Sequence, residues 1–294
     1  MSLFPRTPRL PQELFLHIID CLYDDRRTLS SCSLVSKSWT HQSRRHLLRN
    51  IEVHIPQSSG SHSEKTRLDR LASCLKELQV STIHKIRRPF FSYIRELVIG
   101  FDLHFMLNIE SMETALHRVD IVPLMDILCH LPHLKKLSFS SMHFVASKPV
   151  LPLSSPVLSL ERLILFDTIW DGLDENGCDA GPAFWSLFKS IDDIVFQSNQ
   201  ATDTGSYATK QAVFSPGRRN FIKAARFNIV KGCMGPGIDI IQQVIDLASV
   251  TQFIITLEFE PIDNVDFVKF INKCPNVEYI EVRLEVCYRY QSGQ

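Results

Sequence analysis

A single apolar template, Φ-x-x-Φ-x-Φ with Φ an apolar residue, constrains this chain more than any other feature, because it recurs. It stands at Leu48/Ile51/Val53, Ile94/Leu97/Ile99, Leu134/Leu137/Phe139, Leu160/Leu163/Leu165, Ile191/Ile194/Phe196, Ala224/Phe227/Ile229, Ile254/Leu257/Phe259 and Val277/Ile280/Val282. Successive starts lie between 23 and 46 residues apart. In extended backbone the last two apolar positions of a template share one side, since side chains alternate with a period of two. One such unit cannot hide that side alone, and stacked neighbours close a continuous core. The chain is therefore predicted to be α/β, with parallel strands joined by helical connections.

The connections support this. Leu68, Leu71, Leu75 and Leu78 form one helical stripe. Ile121, Leu124, Met125 and Leu128 form a second, Ile238, Ile241, Ile245 and Ala248 a third, and Phe267, Phe270, Ile271 and Cys274 a fourth. Pro132 and Pro275 each stand two residues before a template. Proline ends a helix and biases the preceding residue to extended geometry, so these are helix-to-strand junctions. The pattern over residues 51–294 resembles leucine-rich repeats, which implies an irregular solenoid. It departs from them at the turn position, where the usual Asn stands only at Asn199. Ser58–Ser63, Asp171–Pro182 and Ser198–Asn220 are polar breaks that read as surface loops.

Residues 8–50 form a separate module. Pro11 suits the first position of a helix and Glu13 its first turn. Leu14, Ile18 and Leu22 then follow at helical spacing, with Ile19 widening the stripe. Asp24-Asp25-Arg26-Arg27 is a polar break. Thr28 is placed to cap a second helix carrying Leu29, Cys32, Leu34 and Val35, and Ser36 a third carrying Trp39, Ser43, His46 and Leu47. Three helices of this length hide little apolar surface on their own. Leu10, Pro11, Leu34, Val35 and Trp39 are a surplus that predicts a docking face.

Leu10-Pro-x-Glu-Leu14, Ile18, Leu22 and Cys32-x-Leu34-Val35-Ser-Lys-x-Trp39 resemble the F-box, in particular the F-boxes of fungal proteins, where a basic stretch such as Arg44–Ile51 leads into a first strand. The resemblance implies a non-catalytic substrate-recognition subunit of a Skp–cullin–F-box type ubiquitin ligase, acting in the cytoplasm or nucleus. It implies that Leu10, Pro11, Leu14, Ile18, Leu34, Val35 and Trp39 pack against a Skp-family adaptor, and through it reach cullin. The stretch Tyr23-Asp-Asp-Arg-Arg departs from the apolar residue usual there.

Strand positions flanking the middle Φ point away from the core and form a face that either takes a protein target or is plain solvated surface. They are Glu96, Val98, Lys136, Ser138, Arg162, Ile164, Asp193, Val195, Arg226, Asn228, Thr256, Glu258, Tyr279 and Glu281. Among them Lys136, Arg162, Arg226, Glu258, Tyr279 and Glu281 are the candidate target contacts.

Composition narrows the partners. Lys+Arg and Asp+Glu are both 32, which gives no electrostatic reason to expect nucleic acid or an anionic membrane. The first twenty residues lack the uninterrupted apolar stretch of a secretory signal, and no window reaches the ~18 apolar residues of a membrane span. The 8 cysteines include no Cys-x-x-Cys pair, so free thiols in an intracellular protein are expected. Cys129, His130 and His133 lack a fourth ligand at a defined spacing. Asp174, Glu175, Asn176 and Asp179 lack the spacing of a calcium loop. The paired arginines at 26–27, 44–45, 87–88 and 218–219 read as solvated surface. No cofactor or metal is expected. Two other functional classes stay open. One is a repeat scaffold without a ligase role, its N-terminal helices a mere cap. The other is a nucleotide-dependent enzyme using Gly232-Cys-Met-Gly-Pro-Gly237, although that order is wrong for a phosphate-binding loop.

Overall fold

In the computed structural model the residues described are 11–54, 68, 70–74, 77, 90–100, 117–148, 153, 155–170, 180–197, 222–230, 245–257 and 271–284. Three helices come first: α1 (Gln12–Cys21), α2 (Arg26–Val35) and α3 (Lys37–Leu47). Ser36 caps α3 as predicted, its hydroxyl accepting from the Trp39 amide at 3.4 Å. The other two starts differ from expectation. Pro11 is the N-cap of α1 rather than its first helical residue. Asp25, not Thr28, caps α2, accepting from the Thr28 amide at 2.9 Å and from its hydroxyl at 2.6 Å. A carboxylate takes up the free N–H groups of a first turn more strongly than a hydroxyl does, so the supposed polar break opens the helix.

Only Leu48 and Arg49 separate α3 from β1 (Asn50–His54). The following strands are β2 (Glu96–Gly100), β3 (His117–Asp120), β4 (Lys136–Val145), β5 (Leu158–Trp170), β6 (Phe188–Gln197), β7 (Ile222–Val230), β8 (Ile245–Asp246), β9 (Gln252–Leu257) and β10 (Tyr279–Leu284). They make one sheet in the order β1-β2-β4-β5-β6-β7-β9-β10, with every pairing parallel. The short strands β3 and β8 pair off this path with β4 and β7. The rest of the molecule is thus a mostly parallel α/β sheet following the three helices.

Six templates fall in register. Leu97, Leu137, Leu163, Ile194 and Phe227 align across neighbouring strands and are buried, and Ile51 pairs with Leu97 at one edge. The seventh is displaced. The residues aligned with Phe227 and Ile229 are Phe253 and Ile255, so the unit is Val250/Phe253/Ile255 rather than Ile254/Leu257/Phe259. A run of apolar residues alternating on both sides, Phe253-Ile-Ile-Thr-Leu257, offers two equivalent fits, and the ring of Phe253 takes the core slot beside Phe227. In the eighth, Ile280 and Val282 align with Phe253 and Ile255 on the edge strand but stay exposed.

The predicted helix at Ile121–Leu128 is α4 (Ile121–Cys129), capped by Asp120 and ending before Pro132, with Ile121, Leu124, Met125 and Leu128 buried. Residues 70–74 are helical, with Leu68 and Ala72 buried. Two expectations fail here. Ile245 and Ala248 are not helical: Ile245 lies in β8, and Leu247–Ser249 is a single 3-10 turn closed by the Asp246 carboxylate and the Ser249 hydroxyl. The presumed loop ending at Pro182 contains the start of α5 (Ala180–Trp185), whose small residues sit buried beneath the sheet. Proline fits there because first-turn amides have no partner within the helix. Leu75, Leu78, Ile238, Ile241, Phe267, Phe270, Ser58–Ser63, Asp174–Asp179 and Ser198–Asn220 lie outside the described residues.

The core is a layer of aliphatic residues with an aromatic seam. Phe184 touches Phe139, Phe144, Trp185 and Phe188, and the rings of Phe196, Phe227 and Phe253 stack in series. Where β2 gives way to β3 along β4, Gly100 is obligatory, since a Cβ there would lie 2.8 Å from the Cβ of Ser140. Ser141, next in β4, has a positive φ of 54°.

Candidate functional site

The first candidate surface is helical. Ile19 and Leu29 form the buried heart of the three-helix module. Leu14 (46 % exposed), Ile18 (51 %), Leu34 (84 %) and Val35 (66 %) do not join them. Pro11 is exposed as well, while Leu10 lies outside the described residues. Trp39 is half-buried, its ring 5.1 Å from that of Phe15 and tilted by 42°. It therefore holds α3 against α1 besides presenting an edge outward.

Polar contacts make the module rigid. The His46 ring nitrogen lies 2.7 Å from the Asp20 carboxylate, to which Gln42 also donates, joining α1 to α3. The His46 hydrogen bond holds the Asp20 carboxyl below the ordinary carboxylate range, with Gln42 adding to the effect. Arg26 was expected to be solvated surface. Instead its guanidinium donates to the carbonyls of Leu47 and Asn50, both at 3.3 Å, so α2 clasps the end of α3 and the start of β1. From there Arg49 O accepts the amides of Arg95 and Glu96, and the His41 ring meets Tyr93 edge-on at 5.3 Å. The helices are thereby fixed to the first edge of the sheet. Sequence reasoning missed these ties because they join residues 21 to 52 positions apart, for which local spacing carries no signal.

The second candidate surface is the outward side of the sheet. The register sets Glu96, Lys136, Arg162, Asp193, Arg226, Gln252 and Tyr279 in one row across the strands. Two residues further along, Val98, Ser138, Ile164, Val195, Asn228, Ile254 and Glu281 form a second row. Four of the six expected target contacts, Lys136, Arg162, Arg226 and Tyr279, thus share one row, and Glu281 stands in the next. Thr256 does not occupy the expected place. With the seventh template displaced, Gln252 and Ile254 take the flanking positions and Thr256 is buried one row beyond. Glu258 lies outside the described residues.

Charges in the first row are largely paired. Lys136 Nζ lies 2.9 Å from Glu96, and Arg162 Nε lies 2.7 Å from Asp193 Oδ2. Arg226 Nε donates to Gln252 Oε1 at 2.9 Å. At the edge Arg283 Nε donates to Glu281 at 2.7 Å and holds that carboxyl below its usual range. A cleft of about 470 Å³ opens over the middle of the row, bordered by Lys136, Glu161, Arg162, Asp192, Asp193, Ala225, Arg226, Thr251 and Gln252. Among the described residues no group of three or more His, Cys, Asp or Glu is placed to hold a metal ion. Gly232–Gly237 lies outside the described residues.

Comparison with protein families places the helical surface. Residues 7–51 match the F-box-like family model, and this stretch contains all three helices and the first residues of β1. The chain therefore carries an F-box-like domain, a module of protein–protein interaction that binds Skp-type adaptors in SCF-type assemblies. Comparison with curated proteins gives no match.

Proposed function

We propose that the chain is the substrate-recognition subunit of a Skp–cullin–F-box type ubiquitin ligase. In this reading the exposed apolar side chains of α1 and α2 seat a Skp-family adaptor, which links the chain to cullin. The sheet, read as an irregular leucine-rich-repeat-like solenoid because its strands follow chain order and pair in parallel, carries the protein target on its outward face. The chain makes and breaks no bonds. It works by position: α3 running directly into β1, with the Arg26 clasp across that junction, keeps the target at a fixed offset from the adaptor and raises its effective concentration near a conjugating enzyme. The site of action is the cytoplasm, the nucleus or both.

The observation that carries the proposal is the exposure of Leu34 and Val35 within the matched segment. Consecutive branched apolar side chains at a helix end, open to water, are what a partner-binding face requires. A scaffold whose helices were a mere cap would bury Leu14, Ile18, Leu34 and Val35 in its own body. The test is co-purification of the full chain with a Skp-type adaptor, wild type against Leu14→Asp with Val35→Asp. Trp39 is left intact because it also packs on Phe15. Loss of adaptor from the variant, with an unchanged circular dichroism spectrum, supports the proposal; equal recovery of adaptor removes it.

A further inference from the structure

β10 ends the strand order, and among the described residues it pairs with β9 alone. Its other edge therefore offers backbone N–H and C=O groups to a further strand. The two sides of β10 differ in kind. Ile280 (47 % exposed) and Val282 (55 %) continue the core side, aligned with the buried Phe253 and Ile255, yet both stay open to water. On the outward side stand Glu281 and Arg283, joined by hydrogen bonds of 2.7 and 3.2 Å.

The order of these residues selects the occupant. Two copies related by a two-fold axis meet with their edge strands antiparallel, each residue facing its counterpart about one centre. The centre must fall on a residue, because a slip of one would turn one copy's core side outward. Centring on Glu281 sets two carboxylates directly opposite, and centring on Arg283 sets two guanidiniums opposite. Centring on Ile280 pairs only 279–281. Centring on Val282 pairs 280–284 and places Glu281 opposite Arg283 of the second copy, twice over. Opposite charges across a strand pair support it and like charges oppose it, so β10 is complementary to itself in this register. We propose that a second copy of this chain docks on β10, the two strands pairing antiparallel about Val282, with the Ile280 and Val282 side chains adjoining on the core side and reciprocal Glu281–Arg283 pairs on the outward side. β1, which follows the helical module, ends the opposite edge of the sheet, so both adaptor faces stay free. The inference goes beyond the proposed function and does not depend on it.

The test is sedimentation velocity of the purified full chain over a range of concentrations. A junction of two six-residue strands is small for a specific interface, so a monomer–dimer equilibrium with a Kd of ~10–100 µM is expected. Glu281→Arg and Arg283→Glu each set like charges opposite at both places, and each should weaken the dimer about tenfold or more. Mixing the two variants sets the arginines of one copy against the glutamates of the other, and should restore association to within about threefold of wild type. Within each chain of that mixture residues 281 and 283 still carry like charges, so recovery reports the contact between copies and not the folding of either. Should one reversal fold poorly, Val282→Lys, at a position already 55 % exposed, sets two ammonium groups face to face and should also weaken the dimer about tenfold. A wild type that stays monomeric up to ~300 µM overturns the inference. So does a dimer that neither reversal nor Val282→Lys weakens, or a mixture that fails to recover. Assemblies growing beyond the dimer overturn it as well, since β10 pairing with β1 of the next copy would give an open chain. Each of these outcomes leaves adaptor co-purification, and the proposal resting on it, unaffected.

Discussion

Replacing Leu34 and Val35 together by alanine separates binding from folding. Covering a Leu or Val side chain completely is worth ~1.5–3 kcal/mol. Leu34 is 84 % and Val35 66 % exposed, so most of that term is still available to a partner and little of it is used by the fold. Weighted by those exposures and allowing for the methyl that alanine keeps, the pair accounts for ~2–4 kcal/mol of adaptor affinity. Each ~1.4 kcal/mol is a factor of ten, so the double variant should bind a purified Skp-type adaptor roughly 30- to 1,000-fold more weakly. The same change should leave the stability of the free chain within ~0.5 kcal/mol, since alanine is the better helix former and no core contact is removed. Isothermal titration with the adaptor and a thermal melt of the free chain read the two quantities separately. Binding within threefold of wild type, or a fall of many degrees in Tm, refutes the reasoning.

Three further outcomes follow from the structure. Phe227 lies buried between Phe196 and Phe253, with ring centroids 6.5 Å and 5.8 Å away, so Phe227→Ala should cost ~3–5 kcal/mol in urea denaturation and Phe227→Leu less than half of that. The Asp20 carboxyl is depressed in the folded state, so its contribution is present above its unfolded value of 3.8 and is lost as pH falls through the folded value. Thermal melts between about pH 5 and pH 2 should therefore decline less steeply for Asp20→Asn than for wild type. Burial pushes the Cys274 thiol up to about 11, whereas Cys21 is exposed, so brief iodoacetamide treatment of the native chain followed by peptide mass spectrometry should label Cys21 well ahead of Cys274.

What was legible in the sequence was whatever depends on local spacing. The template at Leu163, Ile194 and Phe227 marks the core side of each strand directly, because strand periodicity and parallel in-register pairing leave one solution. The exposure of Leu34 and Val35 also followed from counting apolar residues against the size of three short helices. Local spacing gave way where two fits were equivalent, as at Phe253–Leu257, or where small residues hid a helix, as at Ala180–Trp185. It was silent on the pairing of Arg162 with Asp193 and on the Arg26 clasp, since both depend on which strand or helix becomes a neighbour. The outward row follows from the template residue by residue at Lys136, Arg162, Arg226 and Tyr279. It departs only on β9, where the displaced seventh template brings Gln252 into the place assigned to Thr256.

The most direct measurement is hydrogen–deuterium exchange of the full chain, alone and with a Skp-type adaptor. The account predicts slowed exchange confined to α1, α2 and α3, with β4 to β7 unchanged. Protection on the sheet with none on the helices, or no change anywhere at saturating adaptor, would contradict it.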